Sequence, residues 1–543
     1  MTKSSNIAHT KNHYVKIKAV SGMGYRRRKK TSDKLVEEQP GQSADVKEPK
    51  QPSYSQLSQN IEYLTKALKH SNDLKLRILQ DGNAVLLYFE TLADQEKVQE
   101  KIFTQMEFGK WNSIAELPNG KHTENLEEAL KVLLRGHALY IEEDNKKLSY
   151  FNVTSEINRS VEEPANEKVV RGSHEGFVEN LMININLIRK RLEHRDLTIK
   201  YFRVGKKTNT NVAIAYMEGI TNPALVKEVK KRIKSVTADT ILSPGFMEEF
   251  IEDNPMSPFP QTLSTERPDR VIANVMSGKV ALLAEGSPTV LILPSTFFMF
   301  YQSPDDYHAR WVSGTFIRII RLMSFLIAIG LPAMYIAIIG FHFEVIPDDL
   351  VSPVKSAIEQ IAYPPFVEAF IMVIIIELIR EAGIRLPQPV GQTIGIVGGL
   401  VIGDAVIRAG LISNLMVIVV ALTAIASFVV PSHELSTTLR LLTFPLIILA
   451  STLGFIGIVF GIMFILIHLV KLESFGNPYF APVSPLRIQD LKDTFVRLPL
   501  FKLNTRPKDA NPINDQSMGE SREWKRSGKS KKSRKTKGTN KTK

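Results

Sequence analysis

Two hydrophobic patterns divide the chain. Up to about Trp311 the apolar residues come in short runs broken by charge. Beyond it, Leu322 to Phe341, Leu411 to Val430 and Leu441 to Ile467 hold no charged residue at all. A helix of roughly 20 apolar residues crosses a hydrocarbon core about 30 Å thick, and only helices or closed barrels satisfy every backbone group in lipid. The pattern predicts a multi-pass α-helical membrane domain preceded by two cytoplasmic α/β modules of mixed α+β character. Five apolar segments are visible, at about 316–341, 366–380, 390–408, 411–431 and 439–470. An odd number of crossings would separate the two ends of the chain, yet the basic tail belongs on the inside with the first half. Four full spans plus one short or re-entrant element are therefore expected.

In the first half, residues 1–60 are polar and unpatterned, as a disordered basic arm would be. Residues 61–160 form a first module, with a buried strand at Ala84 to Phe89, an amphipathic helix at Glu124 to Leu134, and strands at Ala138 to Ile141 and Leu148 to Val153. Residues 165–300 form a second, with a helix over Phe177 to Leu192, strands at Leu197 to Val204 and Val212 to Met217, and a helix from Pro223 to Val236. A last hairpin joins Lys279 to Ala284 and Thr289 to Leu293. The membrane domain takes residues 301–485, and a basic cytoplasmic tail residues 486–543.

Charge and composition narrow the chemistry. The net charge of +13 is concentrated in Arg26-Arg27-Arg28-Lys29-Lys30 and in Arg522 to Lys543. Beside a membrane domain, such runs suit solvated tails or anionic lipid headgroups rather than nucleic acid. There is no cysteine, which excludes disulfides, thiolate metal sites and cysteine nucleophiles. The N-terminus lacks the apolar core of a signal peptide, so the first half is expected to stay in the cytoplasm. Gly205-Lys206-Lys207-Thr208 has Lys200 where a phosphate loop needs glycine, and reads as a hairpin turn. His9 and His13 have metal-like spacing, but inside the arm. Neither a Gly-x-Ser-x-Gly elbow nor a His-Glu-x-x-His helix occurs. No enzymatic activity, cofactor or metal is expected.

Two stretches carry functional information. Leu293 to Trp311 packs aromatic rings beside Asp305, Asp306, His308 and Arg310 just before the first span. It reads as an elbow between module and membrane, with Tyr307, Arg310 and Trp311 at its end. Phe297, Phe298, Phe300, Tyr301 and Trp311 suit headgroup depth; a buried seam between domain and membrane is the alternative, and the two are compatible. Arg310, Arg318 and Arg321 place this flank inside. In the second stretch Gly391, Gly395, Gly399 and Gly403 recur every four residues, a ridge that lets helices approach closely in lipid. The opposite stripe holds Val390, Ile394, Val397, Val401, Asp404 and Arg408. Ile394, Val397, Val401 and Asp404 are candidate pore-lining residues, a hydrophobic constriction ending in a carboxylate. The alternative is a packed helix with Asp404 and Arg408 paired at i, i+4. Glu377 with Arg380, and Glu381 with Arg385, have pairing spacings too.

Several strings carry a family resemblance: YMEGITNPALVKEVKKRI (Tyr216 to Ile233), PFPQTLSTERPDRV (Pro258 to Val271) and EGSPTVLILPSTFFMFYQSPDDYHARW (Glu285 to Trp311). ELIREAGIRLPQPVGQTIGIVGGLVIGDAVIRAGLIS (Glu377 to Ser413), VIVVALTAIASFVVPSHEL (Val417 to Leu435) and SFGNPYFAPVSPL (Ser474 to Leu486) continue it. In matching order from about residue 195 to 490, the sequence resembles the A subunits of nutrient germinant receptors of bacterial endospores. The resemblance implies a subunit in the inner membrane of the spore, working with a transporter-like B subunit and a lipoprotein C subunit. It further implies triggering by small nutrients and a homo-oligomeric, cation-conducting role for the A type, with recognition mainly in the B partner. A non-conducting scaffold that docks these partners is the alternative.

Overall fold

A computed structural model describes residues 51–519 and 521, apart from 80–81, 106–112, 156–162, 165, 360, 387–398 and 400–402. The arm read at residues 1–60 and the basic stretch from Arg522 onward therefore lie largely outside the described residues.

The first half is built on two five-stranded antiparallel sheets. In the first, β1 (Leu74–Leu79), β2 (Ala84–Phe89), β3 (Lys121–Thr123), β4 (His137–Glu142) and β5 (Leu148–Asn152) take the order β1-β2-β4-β5-β3. β2 is buried along its whole length, which is why it reads as an unbroken apolar run. One face packs on helices α1 (Leu57–Ala67) and α2 (Leu126–Leu134) through Val85, Leu87, Leu139 and Ile141. In the second sheet, β6 (Leu197–Val204), β7 (Thr210–Met217), β8 (Leu263–Thr265), β9 (Val280–Ala284) and β10 (Val290–Leu293) repeat the order, β6-β7-β9-β10-β8. α3 (Leu181–Arg191) precedes this sheet as α1 precedes the first, and α6 (Pro268–Met276) lies between the third and fourth strands as α2 does. The two sheets thus share one topology, a duplication that no string in the sequence betrays.

The helices start where their caps dictate. Asn125, Asn180 and Asn222 each accept the free N–H groups of the following turn, and Pro223 occupies the first turn of α4 (Pro223–Ser235). α4 and α5 (Pro244–Ile251) cover one face of the second sheet. α3 and α6 cover the other, whose core runs on into the helical region. The sheets are clamped by Arg189, which is 2% exposed and pairs with the sealed carboxylate of Asp73 while lying over the Phe89 ring.

After a single turn at Pro304–His308, helices α7 (Trp311–Phe341), α8 (Asp348–Glu359), α9 (Pro365–Arg385), α10 (Asn414–Phe428), α11 (His433–Leu453) and α12 (Phe455–Lys471) follow. Pro332 and Pro445 lie inside α7 and α11. Among the described residues, α7 and α11 are long and apolar enough to cross a membrane; α10 and α12 are apolar but shorter.

The expected single element at 439–470 is two helices. Gly454 has φ +58° and ends α11. α12 then folds back along it, because Gly457 and Gly461 present no side chain to Leu449 and Leu446. At the tip of this hairpin His342 stacks on Phe455 at 4.6 Å, so α7 ends there too. Near the modules, Thr438 at the start of α11 donates to the Pro258 carbonyl and His468 at the end of α12 bonds Ser257 at 2.8 Å. α9 begins at the far end, where Glu368 accepts from the Ser413 N–H. It ends near the modules, where Arg380 bonds Ser427 at 3.0 Å. The Ala362 N–H bonds the Gly410 carbonyl at 3.3 Å, which places Gly410 at the far end as well. The start of α7, where Arg318 bonds Asp306, and the end of α12, where His468 bonds Ser257, thus lie on one side of the bundle. Residues 486–517, basic enough to read as tail, lie on the second sheet's unit: the Ile513 N–H bonds Ile220 and Arg506 bonds Met276.

Candidate functional site

The elbow becomes a site because three remote parts of the chain meet there. Ser303 and Asp306 form a capping box on the Pro304–His308 turn. This fixes the Asp306 carboxylate at the mouth of α7, and Gly314 lets α7 approach, since a Cβ there would stand 2.8 Å from the Asp306 carbonyl. Asp306, 1% exposed, accepts from Arg318 Nε at 3.0 Å and from Arg321 Nη1 at 2.8 Å. Arg318 reaches further, to the Asp493 carboxylate at 3.0 Å, and the Tyr307 hydroxyl donates to the same carboxylate at 2.9 Å. Arg497 donates to the Tyr307 and Ala309 carbonyls.

Asp306 and Asp493 answer Arg318 and Arg321, while the buried Arg497 guanidinium is held by backbone carbonyls, and this pairing offsets the cost of burying the cluster. Burial still raises Asp493, although Arg318 pulls it down, and burial likewise raises the Tyr307 hydroxyl. The cluster ties the junction after the second sheet, the first long helix and the C-terminal segment into one unit. A movement of any of them must carry or break these bonds.

Arg318 and Arg321, which read in sequence as the inside flank of a span, are thus the buried cations of this hub. Phe297, Phe298, Phe300 and Tyr301 are buried as well, against Tyr479, Phe480, Phe495 and Phe325. They form the buried seam. Of the elbow residues, Tyr307 is inside the hub, while Trp311 is 46% exposed. Asp493 and Arg497 were not singled out from the sequence.

A second ionic cluster lies within the bundle. Arg380 pairs with Glu377 at 3.1 Å, and Arg440 of α11 takes the other oxygen of Glu377 at 3.2 Å. Glu381 and Arg385 pair at 2.6 Å on the same helix.

The glycine ridge and its opposite stripe are only partly in view. Gly391, Gly395, Ile394, Val397 and Val401 lie outside the described residues. Gly399 and Gly403 have open space where a Cβ would stand. Asp404 is paired to Arg408 at 2.9 Å, and both side chains are more than half exposed. The pair expected at i, i+4 is present, on a surface of the single chain.

A family model described as Bacillus/Clostridium GerA spore germination protein matches residues 62–509. The chain belongs to the GerA family. The uncharacterized membrane protein YfkQ of Bacillus subtilis is 38% identical over 469 residues, 83% of this chain and 90% of that protein. Spore germination protein B1 of the same organism is 39% identical over 472 residues, 84% and 98% of the two chains. The crystal structure of the N-terminal domain of the A subunit of the Bacillus megaterium spore germinant receptor GerK3 matches at 25% identity and a TM-score of 0.35, over 46% of this chain and 99% of that one. The family read from the strings between Tyr216 and Leu486 is therefore shown, and the match takes in both sheets, the hub and the bundle.

Proposed function

We propose that the chain is the membrane-embedded A subunit of a nutrient-triggered spore germination receptor, in which the two α/β units act through the hub on a helix bundle. Several copies of that bundle surround a cation pathway. The observation that supports this most is the inverted burial of the bundle. Outward-facing Ile319, Leu326, Ile418, Leu422, Ile456 and Phe464 are exposed, while Arg318, Arg321 and Glu368 are buried. In water this would cost heavily, since apolar area is worth about 25 cal/mol per Å²; in lipid it is the favourable arrangement. With the start of α7 and the end of α12 on one side of the bundle, the C-terminal segment lies on the side of the α/β units, as the basic tail requires.

Within an assembly, the glycine ridge would pack against a neighbour and the stripe of Ile394, Val397, Val401 and Asp404 would face the pathway. A transporter-like B subunit and a lipoprotein C subunit are the proposed partners, and the inner membrane of the spore the proposed site, with the α/β units on the core side. Because the chain has no cysteine, topology is directly measurable. A cysteine placed at Asn209 should resist impermeant thiol reagents in intact cells and one at Asp348 should react. The opposite labelling pattern would contradict the orientation.

A further inference from the structure

Away from the hub, one face of α4 is lined with lysines. Lys227, Lys230, Lys231 and Lys234 stand at i, i+3, i+4 and i+7, so their side chains share that face. It borders an open groove of about 620 Å³, whose other wall is Tyr216 and Glu218 at the end of β7. A groove of that volume is in the range of small-molecule sites, roughly 300–1,000 Å³.

The groove holds more positive charge than its own residues neutralise. Among the described residues, Lys231 has a carboxylate within reach, Glu228 at 3.5 Å, while Lys227 and Lys234 have none. Lys230 lies over the Tyr216 ring at 5.6 Å instead. Glu218, the acid that lines the groove, pairs with none of the four. Lys200 of β6 adds to the excess: burial makes its ammonium easier to deprotonate, and the charge of Lys230 adds to this. Thr221, 3% exposed, also lines the groove, and its hydroxyl is buried without a hydrogen-bond partner. Buried hydroxyls are rarely left so, and an acceptor that suits this one and the lysines alike carries negative charge.

An anion with several charges answers both observations. We propose that the groove binds a small anion of linked phosphates, with oxygens on Lys227, Lys230 and the Thr221 hydroxyl at one end and on Lys234 at the other. Lys227 and Lys234 are about 10 Å apart along the helix axis, a spacing that linked phosphates fit better than a single one. Lysines take phosphate as point charges, without the planar fork that a carboxylate favours. Arg232, on the opposite side of α4, lies over Phe475, just past the end of α12, at 4.4 Å. The lysines are therefore turned away from the bundle, which makes a free anion rather than a lipid headgroup the source. Arg232 also bonds the Ile251 carbonyl and Asp253, so an occupied α4 acts on the end of the bundle through it. That effect rests on the function proposed above, whereas the binding does not.

The test is calorimetric titration of the full chain in detergent, at low salt, with inorganic triphosphate, pyrophosphate and orthophosphate, and with short-chain phosphatidylglycerol as the lipid arm. Triphosphate should bind saturably and at least tenfold tighter than orthophosphate. Lys227→Gln and Lys234→Gln should each weaken triphosphate by roughly tenfold, whereas Lys355→Gln, at an exposed lysine of α8, should not. Thr221→Val should weaken it several-fold without lowering the melting temperature of the free protein, since the hydroxyl it removes makes no bond there. Lys227 and Lys234 are exposed and glutamine keeps the helix, so both variants should melt with the parent. The proposal is overturned if triphosphate does not saturate, if the groove variants bind as tightly as the parent, or if Lys355→Gln weakens binding as much as they do. Phosphatidylglycerol that displaces triphosphate at equal concentration makes the groove a headgroup site and overturns the free ligand. Such failures leave the membrane topology and the conductance untouched.

Discussion

Asp306 neutralises two guanidinium groups in a place almost sealed from water, so its removal strands both of them. Losing one partner of a buried ion pair costs about 3–5 kcal/mol, because the remaining charge stays desolvated. Asp306→Ala should therefore lower the amount of folded protein sharply, measured as the level in isolated membranes. Asp306→Asn, which keeps acceptors but not the charge, should fall between that variant and the parent. Equal levels for all three would mean the hub carries no stability.

A different acid gives the pH dependence. Burial pushes Glu252 up to about 7, against the pull of the Gln261 N–H and with Glu248 and Asp253 adding to the rise. The folded state therefore holds a proton that the unfolded chain releases near 4.5. Its stabilising contribution is complete below the unfolded value and is lost as pH rises through the folded one. The melting temperature of the parent should decline across that window, and Glu252→Gln should flatten the decline. An unchanged slope in the variant would assign the pH dependence elsewhere.

At the scale of elements, periodicity and turn chemistry located β2 and β6 at their observed bounds and placed the helices begun by Asn180 and Asn222 within a few residues. It passed over β1, whose Leu76 and Ile78 are outward on an edge strand, and α5 and α6, which are short and open on proline. The fold-back at Gly454 was illegible for a physical reason: an apolar run looks the same whether it continues or reverses, and only the close seating of Gly457 and Gly461 distinguishes the two. A Cβ on Gly457 would stand 2.0 Å from the Leu449 carbonyl. Gly457→Ala should therefore open the hairpin and reduce protein in the membrane. Gly330→Ala in α7, with nothing within 4 Å, should not. Comparable levels for the two variants would reject the tight hairpin. The hub is half legible, since Asp306 stands in the elbow and Arg318 and Arg321 on its flank in the sequence. Asp493 lies 175 residues from Arg318, and no local pattern records that contact.

For the whole molecule, what matters is whether the assembled bundle conducts. The inverted burial and the hub are the observations that support the proposal of α/β units acting on membrane helices. The stripe ending at Asp404 supplies the proposed pathway. Copies of the chain purified as an assembly and placed in a planar lipid bilayer should pass cations. Val401→Ser should raise the open probability by weakening the hydrophobic constriction, and Asp404→Lys should suppress cation current. An assembly that forms normally but shows no conductance, with the Val401 and Asp404 variants indistinguishable from the parent, would contradict the account and leave the chain as a scaffold for its partners.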